Sequence, residues 1–305
     1  MSFSIAKTPS LKGKTALVTG GNIGLGFETV KALASKGAHV LLAARNEEKG
    51  KAAVAEVHNL VPNAQVELLR LDLASQRSIR AAATEVSERF SQLDLLINNA
   101  GIMAMPKTKT EDGFESQFGV NHLGHWSLTA LLMDNLTAAE SARVVTVTST
   151  AHHLIWNVNF DDPHMHKKYS AWNAYSQSKL ANYYFALGLH NMFSTSGGNM
   201  KSMLAHPGLS HTNLQVKTFE MGAGGWAGGF FKNLAAKTGM SPEEGALPQI
   251  RAALDPKAKS GEFYAPRFVN TGSPVKRPIL RTNNRRNIEK LWHLSEHETG
   301  IPLQI

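Results

Sequence analysis

The sequence predicts an α/β protein of one domain across residues 1–305, built on a doubly wound parallel sheet of about seven strands with helices on both faces. Short apolar runs rich in strand-forming residues alternate with longer amphipathic segments, as in successive βαβ units. Glycine and polar residues follow these runs, at the strand ends where such sheets bind ligands. Neither a linker nor a repeat of about 20–50 residues divides the chain, which predicts a single domain.

The composition excludes several classes of protein. The 305 residues are 42% hydrophobic and 18% charged, which is ordinary for a globular chain. No cysteine is present, so disulfides, thiolate nucleophiles and cysteine-bound zinc are excluded. The formal net charge of +8 comes mostly from scattered residues, so a nucleic-acid partner rests on net charge alone and is not expected. Because no apolar run approaches about 18 residues and no signal peptide is apparent, we expect a cytoplasmic protein without a membrane span.

The first strand leads into a glycine-rich loop. Residues 14–19 form an apolar run, and a helical pattern follows the loop through Ser35. Strand, glycine loop and helix are the context of a dinucleotide site, in which glycine lets the backbone approach a pyrophosphate at the helix N-terminus. The spacing is GxxxGxG, and a plain glycine turn is the alternative. The loop residues expected at the cofactor are Gly20, Asn22, Ile23, Gly24, Leu25 and Gly26.

The end of the second strand indicates which dinucleotide binds. Residues 38–43 form this strand, and Arg45 follows it where an acidic residue would hold a ribose 2′-hydroxyl. A planar guanidinium suits a phosphate instead. The sequence therefore favours NADP (NADPH) over NAD, with a surface arginine at the start of a loop as the alternative.

Two further strands end in candidate cofactor contacts. Residues 65–69 precede Asp72 and Leu73, where an adenine would lie, and residues 93–97 precede a turn of small and polar residues. Small residues permit a close approach of the backbone to a cofactor, although a plain turn is the alternative. The turn residues expected at the cofactor are Asn99, Ala100 and Gly101.

A tyrosine and a lysine four residues apart carry the chemical hypothesis. Tyr175 and Lys179 share one face of a helix predicted over residues 174–189. A phenol has a pKa of about 10, and an adjacent ammonium lowers that pKa. Such a pair can exchange a proton with a carbinol oxygen. A packed tyrosine beside a solvated lysine is the alternative.

Other polar residues lie in the middle of the chain. A long helix predicted over residues 112–136 contains Asn121, whose buried amide needs a partner. A β-branched strand over residues 142–149 ends in hydroxyl groups. Zinc sites need a defined ligand set, and no carboxylate stands at a suitable spacing from the nearby histidines, so we expect no metal. These histidines are His152, His153, His164 and His166.

The last third of the chain contains a segment of unusual composition. It comes after the sixth strand and after Pro207 and Gly208, and residues 222–231 within it hold five glycines and three aromatic residues. A long glycine-rich loop in a compact domain is often a functional lid, so we expect a substrate lid over about residues 209–240. The aromatic residues could equally belong to the core. A C-terminal extension is expected over about residues 266–305.

Together the motifs resemble those of the short-chain dehydrogenase/reductase family, whose fold is of the Rossmann type. Residues 120–125 (VNHLGH) and 149–153 (STAHH) resemble the retinol dehydrogenase branch, which includes protochlorophyllide reductases and WW-domain oxidoreductases. The motifs occur in the order Thr19-Gly20-x-x-x-Gly24-x-Gly26, Asn98-Asn99-Ala100-Gly101, Asn121, Ser149, Tyr175-x-x-x-Lys179 and Pro207-Gly208.

The resemblance implies a role for each of these residues. Tyr175 would be the general acid and base, and Lys179 would bind the nicotinamide ribose and lower the pKa of the tyrosine. Ser149 would hydrogen-bond the substrate oxygen, and Asn121 would hold a water molecule that relays protons. The expected cofactor contacts are completed by Pro207, Gly208 and Thr212.

The sequence thus predicts an NADP-dependent oxidoreductase that acts on CH–OH or C=O groups of a bulky apolar aldehyde, ketone or secondary alcohol. The alternative is a non-catalytic, cofactor-sensing protein, although such proteins typically lose the tyrosine or the lysine, and both are present. The resemblance also implies a homodimer or homotetramer, with a monomer as the alternative if the C-terminal segment covers the associating helices.

Overall fold

The computed structural model describes residues 3–209, 239–280 and 284–305. The strands are β1 (Thr15–Thr19), β2 (His39–Ala44), β3 (Gln65–Arg70), β4 (Leu95–Asn98), β5 (Arg143–Val147), β6 (Lys201–Ala205), β7 (Phe263–Pro266) and β8 (Pro274–Arg277). They form one sheet in the order β3-β2-β1-β4-β5-β6-β7-β8. Neighbouring strands are parallel except β7 and β8, which are antiparallel. The predicted α/β fold with a doubly wound parallel sheet is confirmed, and the antiparallel β8 is an addition to it.

Helices flank the sheet, and several of them begin where a side chain satisfies free backbone N–H groups. They are α1 (Gly24–Ser35), α2 (Glu47–Leu60), α3 (Gln76–Arg89), α4 (Ser116–Phe118), α5 (Gly124–Leu131), α6 (Met133–Ala138), α7 (Ala171–Thr195), α8 (Pro242–Leu254) and α9 (Arg285–Thr299). Asn46 caps α2 and Ser170 caps α7, each by accepting a backbone N–H. Ser241 and Glu244 form a reciprocal capping box at the start of α8. None of the helices in these described ranges is long and apolar enough to cross a bilayer.

The two faces of the sheet carry separate hydrophobic cores. One core joins α3, α5 and α7 and contains the fully buried Trp126 and Phe185. The other joins α1, α2 and α8 through residues such as Val30, Val57 and Ile250. Both faces of the central strands are therefore buried, which explains why their sequences are nearly continuous apolar runs rather than alternating ones.

The helix predicted over residues 112–136 begins later and is interrupted. The carboxylate of Glu115 accepts the N–H groups of Gln117 and Phe118, which starts the helical segment at Ser116. A π-helical turn spans Gly119–Leu123 before α5 begins. Hydrophobic periodicity does not distinguish such a turn from α-helix, and π turns often occur at functional sites.

The C-terminal helix α9 packs on the long helix α7. The indole of Trp292 rests on Gly188, where any Cβ would collide with the ring. Trp292 also meets Trp126 edge to face, with 5.0 Å between ring centroids. The Trp126 indole N–H donates to the carbonyl of Ile301 at 3.0 Å, which fixes the chain after α9. The C-terminal part of the chain thus completes the core on this side of the sheet.

Strand order reverses at β1, because β2 and β3 lie on one side of it and β4 and β5 lie on the other. The connections from β1 and β4 leave in opposite directions and open a crevice at the carboxyl ends of these strands. Ligands of doubly wound sheets bind at this point.

Candidate active site

A cavity of about 770 Å³ opens at the carboxyl ends of the strands. Its volume lies within the usual range for small-molecule sites. It brings together most of the site residues predicted from the sequence. Those that line it are Gly20, Asn22, Ile23, Gly24, Leu25, Gly26, Arg45, Asp72, Leu73, Asn99, Ala100, Gly101, Ser149, Tyr175, Lys179, Pro207 and Gly208.

The glycine loop has the backbone geometry that only glycine adopts easily. Gly20 and Gly24 have φ angles of +64° and +55°, in the left-handed region that disfavours side chains. A Cβ on Gly26 would collide with the carbonyl oxygen of Gly20 and would lie 2.7 Å from the Asn99 amide nitrogen. The loop therefore folds tightly against the end of β4 and leads directly into the N-terminus of α1, where backbone N–H groups favour an anion.

Thr19 clamps the glycine loop to the turn after β4. Its hydroxyl accepts the backbone N–H groups of Asn99 and Ala100, both at 2.9 Å. The Asn99 side-chain amide donates to the Thr19 carbonyl at 2.7 Å. The Thr19 hydroxyl also lies 2.8 Å from Nε2 of the buried His125. Thr19 was part of a sequence motif, but its role as a clamp depends on a contact that the sequence does not display.

The side of the cavity formed after β2 and β3 carries the residues predicted to meet the adenosine half of the cofactor. Arg45 is exposed there, directly after β2. The carboxylate of Asp72 accepts the N–H of Ala74 at 3.0 Å, and the hydroxyl of Ser78 accepts the N–H of Asp72 at 2.9 Å. These bonds set the turn that brings Asp72 and Leu73 to the cavity wall.

Tyr175, Ser149 and Lys179 lie together at the opposite side of the cavity. Tyr175 is only 6% exposed and Lys179 only 4%. The Lys179 ammonium lies 5.9 Å from the centroid of the Tyr175 ring and donates to the carbonyl of Val147 at 3.3 Å. Thr148, the neighbour of Ser149, donates its hydroxyl to the carbonyl of Lys179 at 2.8 Å. The hydroxyl of Thr148 is therefore engaged by α7, whereas Ser149 lines the cavity together with Tyr175.

Burial dominates the electrostatics of this group. It raises the pKa of Tyr175, and a hydrogen bond with Ser149 opposes that rise. Burial also lowers the pKa of Lys179 to about 8, because removal from water disfavours the charged form of either group. The spacing of Tyr175 and Lys179 predicts a lowered tyrosine pKa, whereas the protein groups alone leave that pKa raised.

Asn121 lies behind the cavity wall rather than on it. It is fully buried, and its side chain bonds both backbone groups of Ile102, accepting at 2.8 Å and donating at 2.9 Å. It also donates to the Ser178 hydroxyl at 2.9 Å. The Asn121 carbonyl accepts from Nδ1 of His125 at 2.9 Å, if the imidazole proton is placed there. Asn121 thus joins the π turn to α7, next to Lys179.

Two predictions fall partly or wholly outside the described residues. Thr212 lies outside them, and so does most of the predicted lid, including residues 222–231. The described residues hold no group of three or more histidines, aspartates and glutamates arranged to bind a metal ion.

The sequence carries no signal for the apolar wall of the cavity. Most of the residues in this wall come from loops outside the motifs, so no periodicity or spacing marks them. Trp172, in the first turn of α7, meets the Tyr175 ring edge to face, with 6.2 Å between the ring centroids. The apolar residues that line this wall are Ile102, Met103, Met105, Leu154, Trp172 and Leu209.

The fold and the site define a dinucleotide-dependent oxidoreductase of the doubly wound α/β class. The family model for short chain dehydrogenases matches residues 14–222. The chain belongs to the short-chain dehydrogenase/reductase family, and is therefore an NAD(P)-dependent oxidoreductase acting on CH–OH or C=O groups.

Known proteins resemble the chain along most of its length. It is 46% identical to mouse retinol dehydrogenase 11 over 297 residues, which cover 96% of this chain and 88% of the relative. It is 37% identical to human polyprenol dehydrogenase over 302 residues, which cover 96% and 87%. A crystal structure of a Mycobacterium paratuberculosis protein shares 37% identity with a TM-score of 0.80 and covers 100% of both chains. The resemblance to the retinol dehydrogenase branch is confirmed.

Proposed function

We propose that the protein is an NADP(H)-dependent oxidoreductase that interconverts a bulky apolar alcohol with its aldehyde or ketone. The proposal rests on the placement of Tyr175, Ser149 and Lys179 at one side of the cavity. The other side of the cavity is the glycine-rich loop of residues 20–26, here called the glycine cradle. This arrangement puts an acid and base group within reach of a substrate held next to a dinucleotide.

The residues present fit a dinucleotide. The tight turn at Gly20 and Gly26 leaves room for phosphates at the N-terminus of α1. A Cβ on Gly101 would lie 3.1 Å from the Asn121 oxygen and 3.3 Å from the Lys179 nitrogen, so a side chain there would crowd the ammonium. With glycine at this position the ammonium is not crowded, and Lys179 would hold ribose hydroxyls of the cofactor. Arg45 supplies a cation for a 2′-phosphate, which favours NADP over NAD.

The protein would supply orientation and proton transfer, and a nicotinamide held beside Tyr175 and Lys179 would supply the hydride chemistry. Ser149 donates a hydrogen bond to the substrate oxygen and keeps it against the phenol of Tyr175. Tyr175 gives its proton to that oxygen during reduction and takes it back during oxidation. Lys179 stabilises the phenolate through its positive charge. Asn121 anchors the turn beside Lys179 and supports proton exchange with solvent.

An apolar wall favours an apolar substrate. Met103, Met105, Leu154 and Trp172 face the cavity near the catalytic group, and such surfaces gain free energy by excluding water around a hydrocarbon ligand. Two relatives are named as dehydrogenases of retinol and of polyprenol, which are both apolar alcohols. We extend this substrate class, though not a particular substrate, to the present chain.

Replacement of the Tyr175 hydroxyl tests the proposal. Tyr175→Phe should lower kcat by about 10²–10⁴-fold, because it removes the proton donor and acceptor. NADPH affinity, followed by fluorescence titration, should stay within about twofold, because the ring that packs in the site remains.

Tyr184→Phe is the matched control, since Tyr184 is also buried on α7 but faces the core away from the cavity. It should retain wild-type kcat on the same panel of apolar aldehydes and ketones. Equal turnover by Tyr175→Phe and Tyr184→Phe would contradict the assignment of Tyr175. Wild-type protein that binds NADPH but oxidises it with no member of the panel would instead indicate a cofactor-sensing protein.

A further inference from the structure

The side chain of Gln249 on α8 reaches helix α1 and the turn after β4, at the carboxyl ends of the strands. It is 1% exposed and lies beyond residues 14–222, the segment that the family model matches. Its side-chain nitrogen Nε2 donates to the Thr29 hydroxyl at 2.7 Å and to the Asn99 side-chain oxygen at 3.0 Å. A single NH₂ group therefore ties α1 to the turn after β4. Gln249 itself is absent from the cavity lining.

The bond to Asn99 fixes which way the Asn99 amide faces. Its oxygen accepts from Gln249, and its nitrogen donates to the Thr19 carbonyl at 2.7 Å. The same nitrogen occupies the space directly beneath Gly26. If the donor at residue 249 were lost, the oxygen of this half-buried amide would lose that partner, and the amide would rotate or shift to regain one. Either movement displaces the floor of the glycine loop.

The bond from Gln249 to Thr29 holds the first turn of α1, which forms part of the glycine cradle. The Thr29 hydroxyl donates to the carbonyl of Leu25 at 2.7 Å and so accepts from Gln249 with its remaining capacity. Leu25 belongs to the first turn of α1 and lines the cavity. The separation between this turn and Asn99 is therefore set by the two donor directions of one planar amide.

We propose that Gln249 is a positioning residue for the dinucleotide: it holds Asn99 and the first turn of α1 at the spacing that the cofactor needs, without touching the cofactor. The inference rests on the proposed function, because it assumes that the dinucleotide binds in this cradle. Loss of the Gln249 amide should weaken cofactor binding and leave the chemical step at Tyr175 largely unchanged.

Gln249→Met tests this, because methionine keeps the length of the side chain and removes both donors. The matched control is Gln117→Met. Gln117 is 0% exposed and donates from Nε2 to the Tyr169 hydroxyl and to the carbonyl of Ala171, both at 3.0 Å. In Gln117 and Gln249 alike, Oε1 has no hydrogen-bond partner within the described structure. The two variants therefore lose the same chemical groups at different places.

Urea unfolding should show a similar loss of stability for both variants. The Kd and KM for NADPH should rise about tenfold in Gln249→Met, with kcat changed less than twofold, and should stay at wild-type values in Gln117→Met. Asn99→Ala should raise the Kd as well, and adding Gln249→Met to it should raise the Kd by much less than tenfold, because Gln249 acts through Asn99.

A Gln249→Met protein with lower stability but a wild-type Kd for NADPH would overturn the proposal and leave Gln249 a structural residue. If Gln249→Met gives no folded protein, the nearly isosteric Thr29→Val removes one of the two acceptors and should still raise the Kd about threefold; an unchanged Kd there would also overturn the proposal. Failure of the proposed function is distinguishable, because it would show in the wild-type protein itself, which would then either bind no NADPH or oxidise it with none of the aldehydes and ketones.

Discussion

Acidification should destabilise this protein through three histidines that are buried without charge. His122, His125 and His206 are 0%, 0% and 3% exposed. Burial lowers their pKa values from 6.5 to about 3, about 4 and about 3, respectively. The imidazoles remain neutral in the folded protein at pH 5, whereas in the unfolded chain they become protonated.

Neighbouring groups reinforce the shift. His125 lowers the pKa of His122, and Lys179 lowers that of His125, where the hydrogen bond to the Asn121 carbonyl opposes the effect. Burial remains the largest cause of the lowered pKa in all three histidines. His206 is also surrounded by positive or ionisable groups. Those that lower the pKa of His206 are His153, Lys179 and Arg277.

The sign and size of the change in folding stability with pH follow from proton linkage. A basic group whose pKa is lower in the folded state binds more protons when unfolded, so its contribution to stability is present above pH 6.5 and is lost as the pH falls toward the folded pKa. At pH 5 the unfolded state gains about 2 kcal/mol from each histidine and about 6 kcal/mol from the three. Since whole domains are stable by about 5–15 kcal/mol, this loss would remove a large fraction of the folding stability by pH 5.

His206→Leu isolates one of the three. Neither ring nitrogen of His206 has a hydrogen-bond partner within the described structure, so the substitution removes a titrating group without breaking a bond. The free energy of unfolding in urea is measured at pH 7.5 and at pH 5. The loss between these two pH values should be about 2 kcal/mol smaller in His206→Leu than in the wild type. His293→Leu changes an exposed histidine and should show the wild-type dependence on pH. Equal losses in His206→Leu and wild type would refute the reasoning, because they would mean that His206 binds protons equally in the folded and unfolded states.

Two further predictions concern the cofactor and the C-terminal helix. Arg45→Ala should raise the KM for NADPH by about 10–100-fold and leave the KM for NADH unchanged, because a charge-assisted hydrogen bond to the 2′-phosphate is worth about 1.5–3 kcal/mol. The exposed Arg80→Ala is the control and should leave both KM values unchanged. An equal effect of Arg45→Ala on the two KM values would contradict a bond between Arg45 and the 2′-phosphate. Gly188→Ala should lower the free energy of unfolding by about 1–3 kcal/mol because the added Cβ collides with Trp292. Calorimetry of Gly188→Ala in a Trp292→Ala background should show a much smaller additional loss, and full additivity would contradict the contact.

The fold could be predicted because its signals are local. Buried parallel strands need continuous apolar runs, and the glycine loop after β1 needs residues that accept positive φ, as Gly20 and Gly24 do. The strand β8 gave no such signal. It is a short edge strand with Pro274 at its start, only partly buried, and its pairing depends on a contact with β7. Propensity is a weak guide where one partner strand decides the structure.

The candidate site was predictable in its motifs and not in its connections. The side chains at the carboxyl ends of the strands meet in one cavity, as parallel topology requires. The partners of Asn121 are Ile102 and Ser178, and the partners of Gln249 are Thr29 and Asn99. Such pairs join distant segments through buried amides, and nothing in the local sequence of either segment specifies the match.

The pKa of Tyr175 shows what the protein groups leave for the bound cofactor to supply. Bringing a phenol from a pKa of about 10 to about 7 requires about 4 kcal/mol, and burial of Tyr175 increases that requirement. The Lys179 ammonium lies 5.9 Å from the ring centroid, and one unit charge at such a distance contributes at most about 3 kcal/mol at an effective dielectric constant of about 20. Lys179 alone is therefore insufficient. A second positive charge beside the phenol, such as an oxidised nicotinamide ring, closes the difference, so we expect Tyr175 to become an effective base only when the oxidised cofactor is bound.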